Sequence, residues 1–225
     1  MATSRPSAHH SSANGPSAHR ASRSRRSSRP SGDEREAAIL ATAERLLAER
    51  PLAEISIEDL ASGAGISRPT FYFYFSSKKD VLLSLLDRVA EEADRAIVPR
   101  PPSPIADPAA FWRDVLTAFL GAFGSHRAVT AAADAARASD PEIGALWSRL
   151  MTGWVDRDAA IIEAERAAGA APDGPPAREL ATALSLMVER SMTALFADQE
   201  PALPREQLVE TLLHVVLSAV YGTAA

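Results

Sequence analysis

The 225-residue chain has no cysteine, so disulfides, thiolate catalysis and zinc ribbons are excluded at the outset. Lysine is almost missing: Lys78 and Lys79 are the only two, and they are adjacent. No apolar run approaches the length of a membrane span, and the first thirty residues lack the apolar stretch of a signal peptide. Arg25 and Arg26 resemble a twin-arginine signal only superficially, since no hydrophobic segment follows them. A cytoplasmic protein without membrane attachment is expected. Catalytic signatures are missing too: there is no GxSxG, no HExxH, no GxGxxG after a strand, and no segment that reads as a strand. Of the five histidines, His9, His10 and His19 sit in a tail without fixed geometry, and no metal site is read there. His126 and His214 are read as structural. Ser125 beside His126 makes a weak dyad, because sequence neighbours do not normally point at each other. No enzyme and no cofactor are expected.

What is present begins with an uneven charge. Residues 1–32 carry six arginines and no acid, which leaves 18 basic against 29 acidic residues in the remainder and a net of −11 there. The head, rich in Ser, Ala, Pro and Arg, has too few large apolar groups to bury and reads as a disordered basic arm, residues 1–32. Such an arm adds phosphate contacts or enters a minor groove if a DNA-binding unit follows; the alternative is an unselected low-complexity tail.

The chain is organised around SIEDLASGAGISRPTFYFYFSSKK, residues 56–79. Ser56 and Asp59 form a capping box, with Ile55 placed to pack on Leu60. Ile57, Leu60, Ala61 and Ala64 follow helical spacing, and Gly65 supplies the left-handed residue that closes the helix. The start signal then repeats at Ser67, with Pro69 in the first turn. Two helices joined by about three residues is helix-turn-helix spacing. FYFYF also fits the period-2 pattern of a strand, but the Ser67 start and the next cap at Ser76 or Ser77 leave no room for one. On a helix, Phe71, Tyr74 and Phe75 share a face. Phe71 and Phe75 are expected to anchor, and Tyr72 and Phe73 to project beside Ser67, Arg68 and Thr70. That outward set offers hydroxyls to phosphates and apolar edges to thymine methyls; a small aromatic core under a surface helix is the rival reading. Lys78 and Lys79 fall in the first turn of the next helix, where cations oppose the dipole by roughly 0.3–1 kcal/mol each. A phosphate would use both lysines and the free N–H groups of that helix end; otherwise they are simply solvated.

Thr70, Phe71, Tyr72, Phe73, Tyr74, Phe75 and Lys78, preceded by SIEDLASGAGIS, resemble the signature of TetR-type transcriptional repressors. The resemblance is strongest over residues 34–94. It implies an all-helical homodimer that binds double-stranded operator DNA and releases it when a small molecule fills a pocket in the C-terminal domain.

Helical periodicity then extends along the chain and gives an all-α fold of about nine helices. The first runs from a Ser31–Glu34 capping box to about Glu49, with Ile39, Ala43, Leu46 and Leu47 on one face, and completes a DNA-binding unit over 33–79. That unit holds six basic and eight acidic residues, so position must outweigh total charge: Arg68, Lys78 and Lys79 toward the duplex, Glu44, Glu49, Glu54 and Glu58 away. A linking helix from Lys78 to about Val98 and a Pro-rich break occupy 80–105. Residues 106–225 form the second domain, with helices over 108–124, 129–138, from Asp140 onward, 177–197 and 205–222. The last two, the eighth and ninth, are apolar nearly all round, as helices buried on two sides are. They are expected to form an isologous dimer seam, the arrangement the resemblance implies.

For the pocket, the candidates are Trp112, Phe119, Phe123, Trp147, Met151, Trp154, Met187 and Phe196, although ordinary core packing fits each of them equally well. In LSLMVER, Ser185 and Val188 stand where the resemblance leads one to expect polar amides. An elongated, mostly hydrophobic effector is expected. Two other readings stay open: a structural DNA-binding protein without a ligand, and a small helical enzyme.

Overall fold

The computed structural model describes residues 31–97, 101 and 103–222. Among them lie nine α-helices, one 3-10 turn and no strand. The basic arm expected over 1–32 lies outside the described residues, apart from Ser31 and Gly32.

α1 spans Gly32–Glu49 and starts at a closed capping box: the Ser31 amide donates to Glu34, and the Glu34 amide to Ser31 Oγ. Pro51 opens a 3-10 turn over Leu52–Glu54. α2, Ile57–Gly63, repeats the box with Ser56 and Asp59. The backbone and side-chain bonds from Ser56 hold the Asp59 carboxyl below its usual range, burial opposes them weakly, and Arg50 adds to the lowering. The chain then turns through Gly65 at φ 68°, a conformation that costs a residue with a side chain. α3 covers only Arg68–Phe71. The sequence predicted a helix on to Phe75. Instead the Phe73 and Tyr74 amides reach back three residues, to Thr70 and Phe71, so the helix tightens and ends, yet Phe71 and Phe75 are both buried as anchors.

α4, Lys78–Arg95, is followed by α5 (Pro108–Ser125), α6 (Arg127–Arg137), α7 (Pro141–Ala167), α8 (Ala177–Phe196) and α9 (Arg205–Tyr221). Prolines begin α5 and α7 in their first turns behind Asp107 and Asp140 caps; a missing N–H costs nothing there. Gly222, at φ 68°, closes α9.

α1 packs on α2, α4 and α6, and α4 runs on to meet α5, α6 and α7. Its apolar stripe, Leu82, Leu85, Leu86, Val89 and Ala93, is buried along its length. α7 packs on α8, and α5 on α9. Glu165 of α7 has no exposed surface; it accepts from Ser103 Oγ, the Ile105 amide and the Tyr221 hydroxyl, which fastens the segment before α5 and the end of α9 to one carboxylate.

α1 and α2 meet tightly at Gly63, where an added Cβ would lie 2.4 Å from the Thr42 methyl carbon. Thr42 is β-branched and buried, so it has little rotamer freedom with which to yield. Gly63→Ala is therefore expected to destabilise the fold by about 1–3 kcal/mol, read as a lower urea midpoint with an unchanged slope.

Candidate DNA interface and effector cavity

At the α3 end, Ser67 caps the helix and its hydroxyl also bonds the Thr70 hydroxyl at 2.8 Å. Phe71 is fully buried and meets Tyr72 edge-on and Phe75 at a tilt. That anchor turns the next two rings out: Tyr72 is 47% exposed and Phe73 86%. Tyr74 is half-buried and packs on the core. Exposed Arg68 interacts with the Tyr72 hydroxyl, and Glu58 also reaches it electrostatically. The charge argument required the acids of this unit to face away from this surface. Glu44 does face away, toward α6.

The two lysines differ from the expectation of a phosphate seat. Lys78 Nζ donates to the carbonyls of Leu52, Ala53 and Ile55 at 2.7, 2.9 and 2.8 Å, so all three of its donors are used on the turn that leads into α2. Lys79 Nζ lies 2.9 Å from Glu142 and 3.8 Å from Asp140, at the start of α7. Those carboxylates, the Glu142 bond above all, raise the Lys79 pKa against a small loss from burial. A cation at a helix start does need a negative neighbour, but the structure supplies it from the backbone and from α7. Sequence gives no sign of partners 23 to 63 residues away.

The second site lies between α5, α6, α7 and α8, with Val216 of α9 at one side. Trp112, Phe119 and Phe123 of α5, Trp147, Met151 and Trp154 of α7, and Phe196 of α8 all line one cavity. Phe119 and Trp154 meet edge-on at 4.8 Å, and Phe123 lies edge-on to both Trp154 and Trp147. Met187, also predicted to line it, does not. One residue is 100° of helical rotation, and the lining face of α8 runs through Leu184, Ser185, Val188 and Met192, which turns Met187 away and puts Met192 in the thioether's place.

The wall is not wholly apolar. Glu189 is paired with Arg137 at 2.7 Å. Burial pushes the Asp158 carboxyl up, opposed by its Arg157 partner. Both arginines sit over aromatic rings of the wall, Arg137 over Trp147 and Arg157 over Phe119. Ser185 Oγ is buried with no hydrogen-bond partner among the described residues. Space at the centre is about 70 Å³, far less than the several hundred Å³ of a drug-sized site.

Family models match both regions: residues 39–85 fit the bacterial regulatory proteins of the tetR family, and residues 112–222 fit the C-terminal domain of the transcriptional regulator EthR. The HTH-type transcriptional regulator EthR of Mycobacterium tuberculosis is 54% identical over 201 residues, covering 89% of this chain and 93% of its own. This chain belongs to the TetR family. EthR of Mycolicibacterium smegmatis is 53% identical over 91% of this chain and 94% of its own. Among solved structures, a putative transcriptional regulator from Saccharomonospora viridis in complex with choline superposes with a TM-score of 0.66 at 26% identity, covering 83% of this chain and 96% of that one. A putative TetR-family regulator from Syntrophomonas wolfei gives 0.68 at 19% identity, over 84% and 97%, and shares the fold.

In this TetR-family chain a polar contact also ties α1 and α4 to the corner between α5 and α6. His126, at the corner between α5 and α6, bonds Glu44 of α1 through Nδ1 at 2.5 Å and Glu92 of α4 through Nε2 at 3.2 Å. Burial lowers its pKa, but the hydrogen bond and charge of Glu44, followed by those of Glu92, outweigh burial and raise it above the usual 6.5. A raised folded-state value means that protonation stabilises the fold. The contribution is fully present below about pH 6.5 and is lost as pH rises through the higher folded value. Melting temperatures measured between about pH 6 and pH 9 are expected to fall more in the native protein than in His126→Gln, which keeps a polar side chain without the charge.

Proposed function

We propose that this TetR-type regulator is a ligand-responsive repressor, which binds operator DNA as a homodimer and leaves it when a hydrophobic small molecule enters the C-terminal cavity. The observation that carries the reading is where exposed large apolar side chains occur among the described residues: Tyr72 and Phe73 at the end of α3, Leu186 on α8 and Val215 on α9. A folded chain leaves such groups in water where a partner will cover them. The first pair, flanked by Arg68 and the Ser67 and Thr70 hydroxyls, suits a major groove. The second pair suits a two-fold mate, with Ala183, Thr211 and Ala219 exposed around it, small enough for close approach.

In this reading residues 33–79 read the duplex, 80–105 link, and 106–225 bind the effector and the second subunit. The basic arm, 1–32, adds phosphate contacts, and the protein acts in the cytoplasm without catalysing a reaction. Lys78 and Lys79 serve the interface indirectly: they hold α2 and α7 to the start of α4, so α3 is presented at a fixed angle. Ser67, Thr70 and Tyr74 complete the DNA-facing set. Ser185, unpartnered in the cavity wall, orients whatever polar group the effector carries. The small resting cavity implies that an effector widens it on entry. The choline held by the Saccharomonospora viridis relative is a cationic precedent in this fold, but each carboxylate in this wall already has an arginine, so a neutral, mostly apolar effector fits better.

Footprinting on the DNA upstream of the protein's own gene tests the reading, with a protected palindrome expected and indifference to sequence counting against it. Arg68→Ala or Phe73→Ala is expected to change which base pairs are preferred, at about 1–3 kcal/mol per position, whereas Tyr72→Phe weakens every sequence alike. Leu186→Lys is expected to give a folded monomer in sedimentation; a dimer that survives both this change and Val215→Glu places the seam elsewhere.

A further inference from the structure

We infer that Asp94, in the last turn of α4, is the positioning residue through which the cavity reports its occupancy to the DNA-reading end. The inference rests on the effector reading above and concerns how that site is coupled to the duplex.

Two groups of the cavity wall converge on one oxygen of this carboxylate. The indole Nε1–H of Trp154 donates to Asp94 Oδ1 at 3.0 Å, and Arg157 Nη1 lies 3.6 Å from the same oxygen. Trp154 lines the cavity edge-on to Phe119 and Phe123. Arg157 stands over the Phe119 ring and bonds Asp158, both of which also line it. Asp94 is outside the wall, and its side chain is half in water. It therefore touches what moves when the cavity fills without touching what fills it.

The cavity cannot fill without movement. Its free space of about 70 Å³ is far below the several hundred Å³ of a drug-sized site, so an occupant of that size must displace wall side chains. Trp154 is one of the three tryptophans among these, and its ring cannot swing far while its N–H keeps hydrogen-bond distance to Asp94, because N–H···O bonds are made at about 2.7–3.2 Å. Either the bond breaks or α4 follows the ring.

α4 is fixed at its other end. Lys78, its first residue, is held by three carbonyls ahead of α2, so a shift of the Asp94 end is carried along one continuous helix of 18 residues, about 27 Å. Another polar contact near this turn, Glu92 with His126, belongs to a side chain that does not line the cavity. A rigid element whose position both sites bias is what energetic coupling requires.

The test uses the full chain, a labelled duplex carrying the footprinted operator, and N-phenyl-1-naphthylamine, a neutral apolar dye whose fluorescence reports its own binding. In the native protein the dye is expected to weaken duplex binding by about tenfold or more, within the usual range of allosteric coupling. Asp94→Ala should bind dye and duplex each within about threefold of native while the dye's effect on the duplex falls below about twofold. Asp94→Asn, whose amide oxygen still accepts from the indole, should restore at least half of the native effect on a logarithmic scale. Undiminished release in Asp94→Ala overturns the inference alone, and equal loss in Asp94→Asn overturns the indole route. A native protein that binds dye but keeps its duplex overturns the effector reading and the inference with it. Asp94→Ser, too short to reach the indole, replaces the alanine variant if the latter melts without cooperativity, and the same loss is expected of it.

Discussion

The ammonium of Lys78 on the carbonyls of Leu52, Ala53 and Ile55 is the contact on which the placement of α2, α3 and α4 relative to one another depends. The Leu52 carbonyl also accepts from the Ile55 amide and has a second lone pair to give. The carbonyls at the end of a helical turn have no partner within it, and a lysine offers three donors from one point. Meeting in this way, they weld the entry to α2 onto the first turn of α4. α3 hangs from α2, with Phe71 and Phe75 sunk in the core, so the direction in which Tyr72 and Phe73 point is set by where α4 begins. With Lys79 tied to Glu142 and Asp140, the same turn also meets the start of α7, which forms one wall of the cavity.

From that point the two ends of the molecule share their supports. α4 carries Arg88 to Glu36 of α1, Glu92 to the His126 corner and Asp94 to the wall tryptophan. Such ion pairs contribute little stability where they are exposed. Their value here is orientation, since each fixes the angle of one helix against another that comes from far away in the chain. The cavity itself is built by packing: four aromatic rings on α5 and α7 meet edge-on or stacked, and α8 closes them with a face that carries one unpartnered hydroxyl.

Local signals in the sequence were strong where a helix begins. Ser31, Ser56, Ser67 and Asp140 each precede helices as caps, because a side-chain oxygen two or three residues before a free amide needs no help from the rest of the fold. Periodicity likewise found the buried faces, and the alternation of rings around Phe71 separated anchors from projecting groups. It failed by a single step on α8, where Met187 and Met192 carry the same chemistry and only the helix's rotation in place separates them. It failed more deeply at Lys78 and Lys79, whose partners across the fold leave no trace in nearby residues.

The sequence by itself determined the helices, their order, the helix-turn-helix spacing and the aromatic content of the second half, since capping and periodic burial act over a few residues. Tertiary structure alone decided which charges are spent inside the protein, which face of α8 meets the cavity, how little space the cavity has, and that Trp154 reaches α4. Those outcomes depend on distances between segments 23 to 82 residues apart, which are set by how the helices pack against one another.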